Sequence, residues 1–135
     1  MRLERRRVIA GAAGLAIPGF APVARAEMDG RAMYGLIGRM TATTGQRDVL
    51  TAILLEGLGR MPGCLSYVVA HDPADAETIW VTEVWTDEAA HRASLQVPEV
   101  RDAMRKAMPL IATFGDAQVT TPVGGVGLEA VRSPA

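Results

Sequence analysis

The stretch from Thr78 to Trp85 constrains the fold of this chain more than any other. β-Branched and aromatic residues dominate its eight positions, as in a strand. Successive side chains of a strand point to opposite sides. Ile79, Val81, Glu83 and Trp85 therefore share one face, and Thr78, Trp80, Thr82 and Val84 share the other. Both faces carry large apolar groups, so both need cover. A single layer of helices covers only one of them. A second sheet from a partner chain is the natural cover for the other, which predicts a homodimer.

The neighbouring segments complete the unit. Met33 to Thr41 reads as a first strand. Thr44-Gly45-Gln46 is a helix-start signal, and Leu50, Ile53, Leu54, Leu58 and Met61 follow at helical spacing. Pro62-Gly63 stops that helix. Cys64 to His71 is a second strand, Asp72-Pro73-Ala74-Asp75 a turn, and Thr78 to Trp85 the third strand. Thr86-Asp87-Glu88 caps a helix that runs to about Gln96. Pro98 opens another helix, from Glu99 to Met108, which Pro109 ends. Leu110 to Thr121 gives the last strand. The tail from Pro122, with Gly124, Gly125 and Gly127 between valines, is expected to be mobile. No helix follows these glycines, so they form no phosphate loop. The order β-α-β-β-α-β is the ferredoxin-like α+β arrangement. Its core is expected over residues 33–121.

Residues 1–26 have a different character. Arg5-Arg6-Arg7 forms a basic region, an Ala- and Gly-rich apolar run extends from Val8 to Val23, and Ala24-Arg25-Ala26 is a small-x-small cleavage site. Paired arginines before two apolar residues, a weakly hydrophobic run and an arginine near the cut resemble a twin-arginine (Tat) signal. The expectation is an exported, periplasmic or secreted protein, cleaved after Ala26. The run is shorter than the ~20 residues a membrane span needs and is broken by Pro18, so no stable membrane insertion is expected after cleavage.

Five of the 14 basic and one of the 15 acidic residues lie in this segment, leaving 9 basic against 14 acidic in residues 27–135, a net of −5. An acidic domain lacks the basic patch that nucleic acid requires. Cys64 is the sole cysteine, which excludes an intrachain disulfide. His71, His91 and Cys64 do not share a ligand-type spacing, and no metal is expected. There is no Gly-x-Ser-x-Gly elbow or dinucleotide fingerprint.

Four stretches carry a family likeness. Gly63-Cys64-Leu65-Ser66-Tyr67, Ile79 to Trp85, Glu88 to Leu95, and Met108-Pro109-Leu110-Ile111-Ala112 resemble the antibiotic biosynthesis monooxygenases, in the subgroup described as quinol monooxygenases. The likeness spans roughly Tyr34 to Val119. It implies a dimeric α/β barrel with a pocket between sheet and helices in each subunit. It also implies oxygenation of a quinol or related aromatic by O2, with no metal, flavin or haem. The superfamily includes haem degraders, which have an Asn on the first strand, a Trp in the helix after the third strand and a His further on. Here the first strand has no Asn, and the matching positions fall near Ser94 and Met104.

Oxygenation without a cofactor needs an apolar pocket, a base or hydrogen-bond partner, and exclusion of bulk water. His91 is the candidate base, since free imidazole titrates near neutrality. Tyr67 and Arg39 are candidates to hydrogen-bond a phenolate or peroxide oxygen, completing a catalytic set of His91, Tyr67 and Arg39. Trp80 and Trp85 are candidates to wall the substrate pocket, together with Glu83. The plainer alternatives are a surface position for His91, a core or interface position for Trp85, and a cross-strand ion pair of Glu83 with Arg39. His71 reads as a turn residue, and Met104 and Met108 as core. Three other functions stay open: an aromatic or haem binder, a stress-response protein, or an isomerase of the same fold.

Overall fold

The computed structural model describes residues 32–58 and 61–128. The signal-peptide pattern of residues 1–26 lies outside the described residues. β1 (Tyr34–Ala42), β2 (Cys64–His71), β3 (Thr78–Trp85) and β4 (Ile111–Thr120) form one sheet in the order β2-β3-β1-β4. Each neighbouring pair is antiparallel. α1 (Arg47–Leu58) joins β1 to β2; α2 (Glu88–Ser94) and α3 (Pro98–Ala107) lie between β3 and β4. This is the expected ferredoxin-like fold.

Local chemistry sets the joints. A turn closed by Gln46 N donating to Thr43 O at 2.9 Å precedes α1. The Arg47 guanidinium then donates to the carbonyls of Asp72, Asp75 and Thr78 at 3.3, 2.8 and 3.3 Å. One side chain thereby ties the start of α1 to the β2–β3 turn. Asp87 caps α2, its Oδ1 accepting from Ala90 N at 2.8 Å, as the Thr86-Asp87-Glu88 signal implies. Gly63 enters β2 at φ 83°, where an added Cβ would lie 2.7 Å from Ala90 Cβ. A left-handed turn and a close approach of α2 both require glycine here.

Leu50 and Leu54 of α1 and Val100, Ala103 and Ala107 of α3 pack with Ile79, Val81 and Trp85 into the core. Each such large side chain contributes about 1.5–3 kcal/mol by leaving water. Gly57 packs directly on Ala103, with no space for a Cβ, which draws α1 and α3 together.

Two expectations need correction. Met61 is buried but follows α1 instead of ending it, and Met108 is 50% exposed instead of core. Pro109 breaks the α-helical ladder, and Met108 starts a separate 3₁₀ turn, Met108–Leu110, that turns it outward. In the tail beyond β4, Leu128 is buried and its N–H donates to Gly125 O at 3.0 Å.

The helices cover one sheet face. On the other, Ile37 (40%), Val68 (53%) and Trp80 (37%) are exposed in the single chain.

Candidate active site

Strand alternation decides which side chains meet. Trp85 ends β3 opposite Tyr34 of β1 and Cys64 of β2, and Glu83 lies opposite Leu36 and Tyr67. These positions face the helices. Between sheet and helices lies a cavity of about 240 Å³ that Tyr67, Glu83, Trp85 and His91 help to line. Most of the remaining wall is apolar, with Leu36, Met40, Leu54, Val100, Met104 and Phe114 prominent. An apolar cavity of about 150 Å³ takes benzene, so this volume suits a substituted single ring or a small fused pair.

One cluster holds the polar chemistry. Trp85 is 1% exposed, and its indole Nε1 donates to Glu83 Oε1 at 2.8 Å. The same Glu83 oxygen lies 4.0 Å from His91 Nε2, and both side chains are 20% exposed. The His91 ring meets Trp85 edge-on, with centroids 5.3 Å apart at 75°, and Tyr34 at 5.3 Å and 38°. Ser94 is 3% exposed, and its hydroxyl donates to the His91 carbonyl at 2.6 Å. His91 is thus fixed through its backbone by the end of α2 and through its ring by β1 and β3.

Burial, reinforced by the nearby Glu83 charge, raises the Tyr67 phenol well above its ordinary 10.0. Tyr67 is therefore a hydrogen-bond donor across the working pH range. Burial also raises the Cys64 thiol from 9.0, with a backbone hydrogen bond to Ser66 opposing the effect and Glu83 adding to it. These shifts predict a loss of stability in alkali. The unfolded chain gives up the two protons near 9.0 and 10.0, whereas the fold holds them longer. The contribution is complete below those values and is lost as pH climbs toward the folded values. Urea unfolding between about pH 8 and pH 11 should show stability falling, and Tyr67→Phe should flatten the slope. An unchanged slope in Tyr67→Phe would contradict the buried, protonated phenol.

Of the sequence candidates, Tyr67, Glu83, Trp85 and His91 come together. Trp80 is not in the cavity lining, whereas Arg39 is. Trp80 is opposite Arg39 in the β1–β3 register. The Arg39 guanidinium carbon lies 5.7 Å from the Trp80 ring centre, on the sheet face away from the helices. Trp80 Nε1 donates to Asp72 Oδ2 at 3.0 Å. Arg39 contributes to the cavity wall while its guanidinium lies beside the Trp80 ring. The expected Glu83–Arg39 pair is not formed, because residues 39 and 83 have opposite parity across the β1–β3 ladder. Glu83 pairs with Trp85 and His91 instead. His71 ends β2, where its Nε2 lies 2.9 Å from Thr51 Oγ1. Tyr34 and Ser94 were not among the sequence candidates for these contacts. Tyr34 sits opposite Trp85 in the β1–β3 register, a pairing that its local sequence does not signal. Among the described residues, no three His, Cys, Asp or Glu side chains gather as a metal site would require. No helix of the described residues is long and apolar enough to cross a membrane.

Known proteins share this fold. A structure from Chloroflexus aurantiacus J-10-fl, assigned as an antibiotic biosynthesis monooxygenase, is 59% identical. It aligns over 69% of this chain and 95% of its own, with a TM-score of 0.68. A Caulobacter crescentus CB15 protein with the same assignment has 15% identity, covers 70% and 92% of the two chains, and gives a TM-score of 0.63. A mutant of SnoaB from Streptomyces nogalater, a cofactor-independent oxygenase, has 18% identity, 70% and 96% coverage, and a TM-score of 0.58. The latter two likenesses concern the fold. No curated protein matches the chain. Residues 33–106, more than half of the sequence, match the family of antibiotic biosynthesis monooxygenases. With the fold, the cavity and the Chloroflexus relative in agreement, the chain belongs to the antibiotic biosynthesis monooxygenase family.

Proposed function

We propose that the protein oxygenates a quinol or related aromatic with O2, the substrate lying in the cavity between sheet and helices. The observation that carries this reading is the gathering of Tyr67, Glu83 and His91 beside Trp85 in an otherwise apolar cavity. A ring entering it finds apolar walls for its carbon skeleton and proton-handling groups for its hydroxyl. Loss of the hydroxyl proton to His91 makes the ring electron-rich enough to reduce O2. Tyr67 donates a hydrogen bond to the resulting phenolate oxygen. The substrate supplies all the electrons. For a hydroquinone, one oxygen atom enters the ring, the other leaves as water, and a hydroxyquinone results. The SnoaB likeness supports the absence of a cofactor in this scheme, that protein being described as cofactor-independent.

The test is O2 uptake by the metal-stripped protein with a panel of hydroquinones and polyphenols, corrected for autoxidation. Saturable uptake with an oxygenated product is expected. Uptake no faster than autoxidation for every compound would end the monooxygenase reading and leave a binding protein or an isomerase.

The same reading includes a homodimer. Ile37, Val68 and Trp80 give the helix-free sheet face an apolar surface that a second copy of the chain would cover. Sedimentation velocity should return twice the chain mass; a monomer at micromolar concentration would remove this part of the proposal.

A further inference from the structure

The charges around the cavity are distributed unevenly. Among the described residues, Glu83 is the one acidic side chain in its lining, and Arg39 the one Lys or Arg. Arg39 does not serve the interior, because its guanidinium lies over Trp80 on the other sheet face. There it helps the Trp80 indole and the Ala74 amide hold the Asp72 carboxyl below its ordinary range. The Tyr67 phenol, and the Cys64 thiol beside it in β2, stay protonated, so neither adds a charge. Among the described residues a ligand therefore meets the Glu83 carboxylate, the His91 imidazole beside it, and apolar walls.

We infer that Glu83 acts as a charge filter, so that the cavity accepts uncharged phenolic ligands and rejects those with a carboxylate on the ring. The inference rests on the reading of the cavity as an aromatic site and adds a specificity-determining residue to it. A carboxylated quinol has two ways to enter. With its carboxylate toward the polar end, the anion lies within a ring's width of Glu83 and is repelled, with little solvent to screen it. With its carboxylate toward Leu36, Leu54 and Met104, the anion loses water and finds no cation. An ester of the same acid has neither problem. Trp85 keeps Glu83 in place by its 2.8 Å hydrogen bond, so the acid does not swing out of the cavity to relieve the repulsion.

Gentisate and methyl gentisate are the probes, since they differ in that one charge. Titration calorimetry under nitrogen measures binding without turnover. Gentisate should bind about tenfold or more weakly than its methyl ester to the wild-type protein, and Glu83→Gln should narrow the gap to about threefold or less. Equal affinity of acid and ester for the wild type would overturn the filter whatever the variant does. So would an undiminished gap in a Glu83→Gln protein that still binds the ester. Ester binding with no O2 uptake from it or from any compound of the panel would defeat the proposed reaction and leave the filter standing. A wild-type protein that binds neither compound would defeat both.

Discussion

Trp85→Ala should destabilise the domain by about 3–5 kcal/mol, the largest loss expected from any single substitution here. Trp85 is 1% exposed at the end of a central strand and belongs to the buried core with Leu50, Leu54 and Ile79. Truncation removes its transfer free energy and leaves a void that Tyr34, Cys64 and α2 can only partly fill. It also removes the donor to Glu83 Oε1 and the edge contact to His91. Domains of this size have about 5–15 kcal/mol in total, so the variant should be marginally folded. Trp85→Phe separates the two contributions. It retains most of the ring volume but leaves Glu83 without the indole N–H, at a cost of about 1–3 kcal/mol. Urea denaturation followed by circular dichroism measures both. A Trp85→Ala midpoint within experimental error of wild type would mean that the indole is not packed as described.

The same tryptophan shows what could be read from the chain and what could not. The element order was legible because each segment is bounded by its own stop or start: Pro62-Gly63 after α1, the Asp72–Asp75 turn after β2, the Asp87 cap of α2 and Pro98 at α3. The facing of β3 was legible from alternation, which correctly set Trp85 and Glu83 together. That alternation also put Trp80 on the opposite side, so both tryptophans could not wall one pocket. The partner of Arg39 was another matter. Whether it meets Glu83 or Trp80 depends on the β1–β3 register, and residues 39 and 80 are opposite each other. Such long-range pairing has no local signal. Tyr34 went unnoticed for the same reason, because nothing near it in sequence indicates that Trp85 and His91 will lie beside it. The contact of His91 with Glu83 required still more, namely where α2 rests on the sheet, which Gly63 sets by admitting Ala90. Local pattern thus gave the elements and their faces, whereas the site arises where four elements meet.

His91→Ala should lower the rate of quinol-dependent O2 uptake by about 10²–10⁴-fold, the range general-base catalysis supplies, with a much smaller change in KM. The imidazole is confined by Tyr34 and Trp85 at 5.3 Å each, and its backbone carbonyl is held by Ser94 at 2.6 Å. Glu83 Oε1 lies 4.0 Å from Nε2, in the same polar cluster. The ring then has a preset orientation, as a base requires. His91→Gln, which keeps a polar group but cannot accept the proton at neutral pH, should be nearly as impaired as His91→Ala. Both variants should still bind methyl gentisate, because the apolar walls that hold the ring are untouched. If His91→Ala retained uptake within about threefold of wild type, the loss would be too small for general-base catalysis. His91 would then be an aromatic-cage residue, and Glu83, the other proton acceptor in the cavity, would become the base to test with Glu83→Gln.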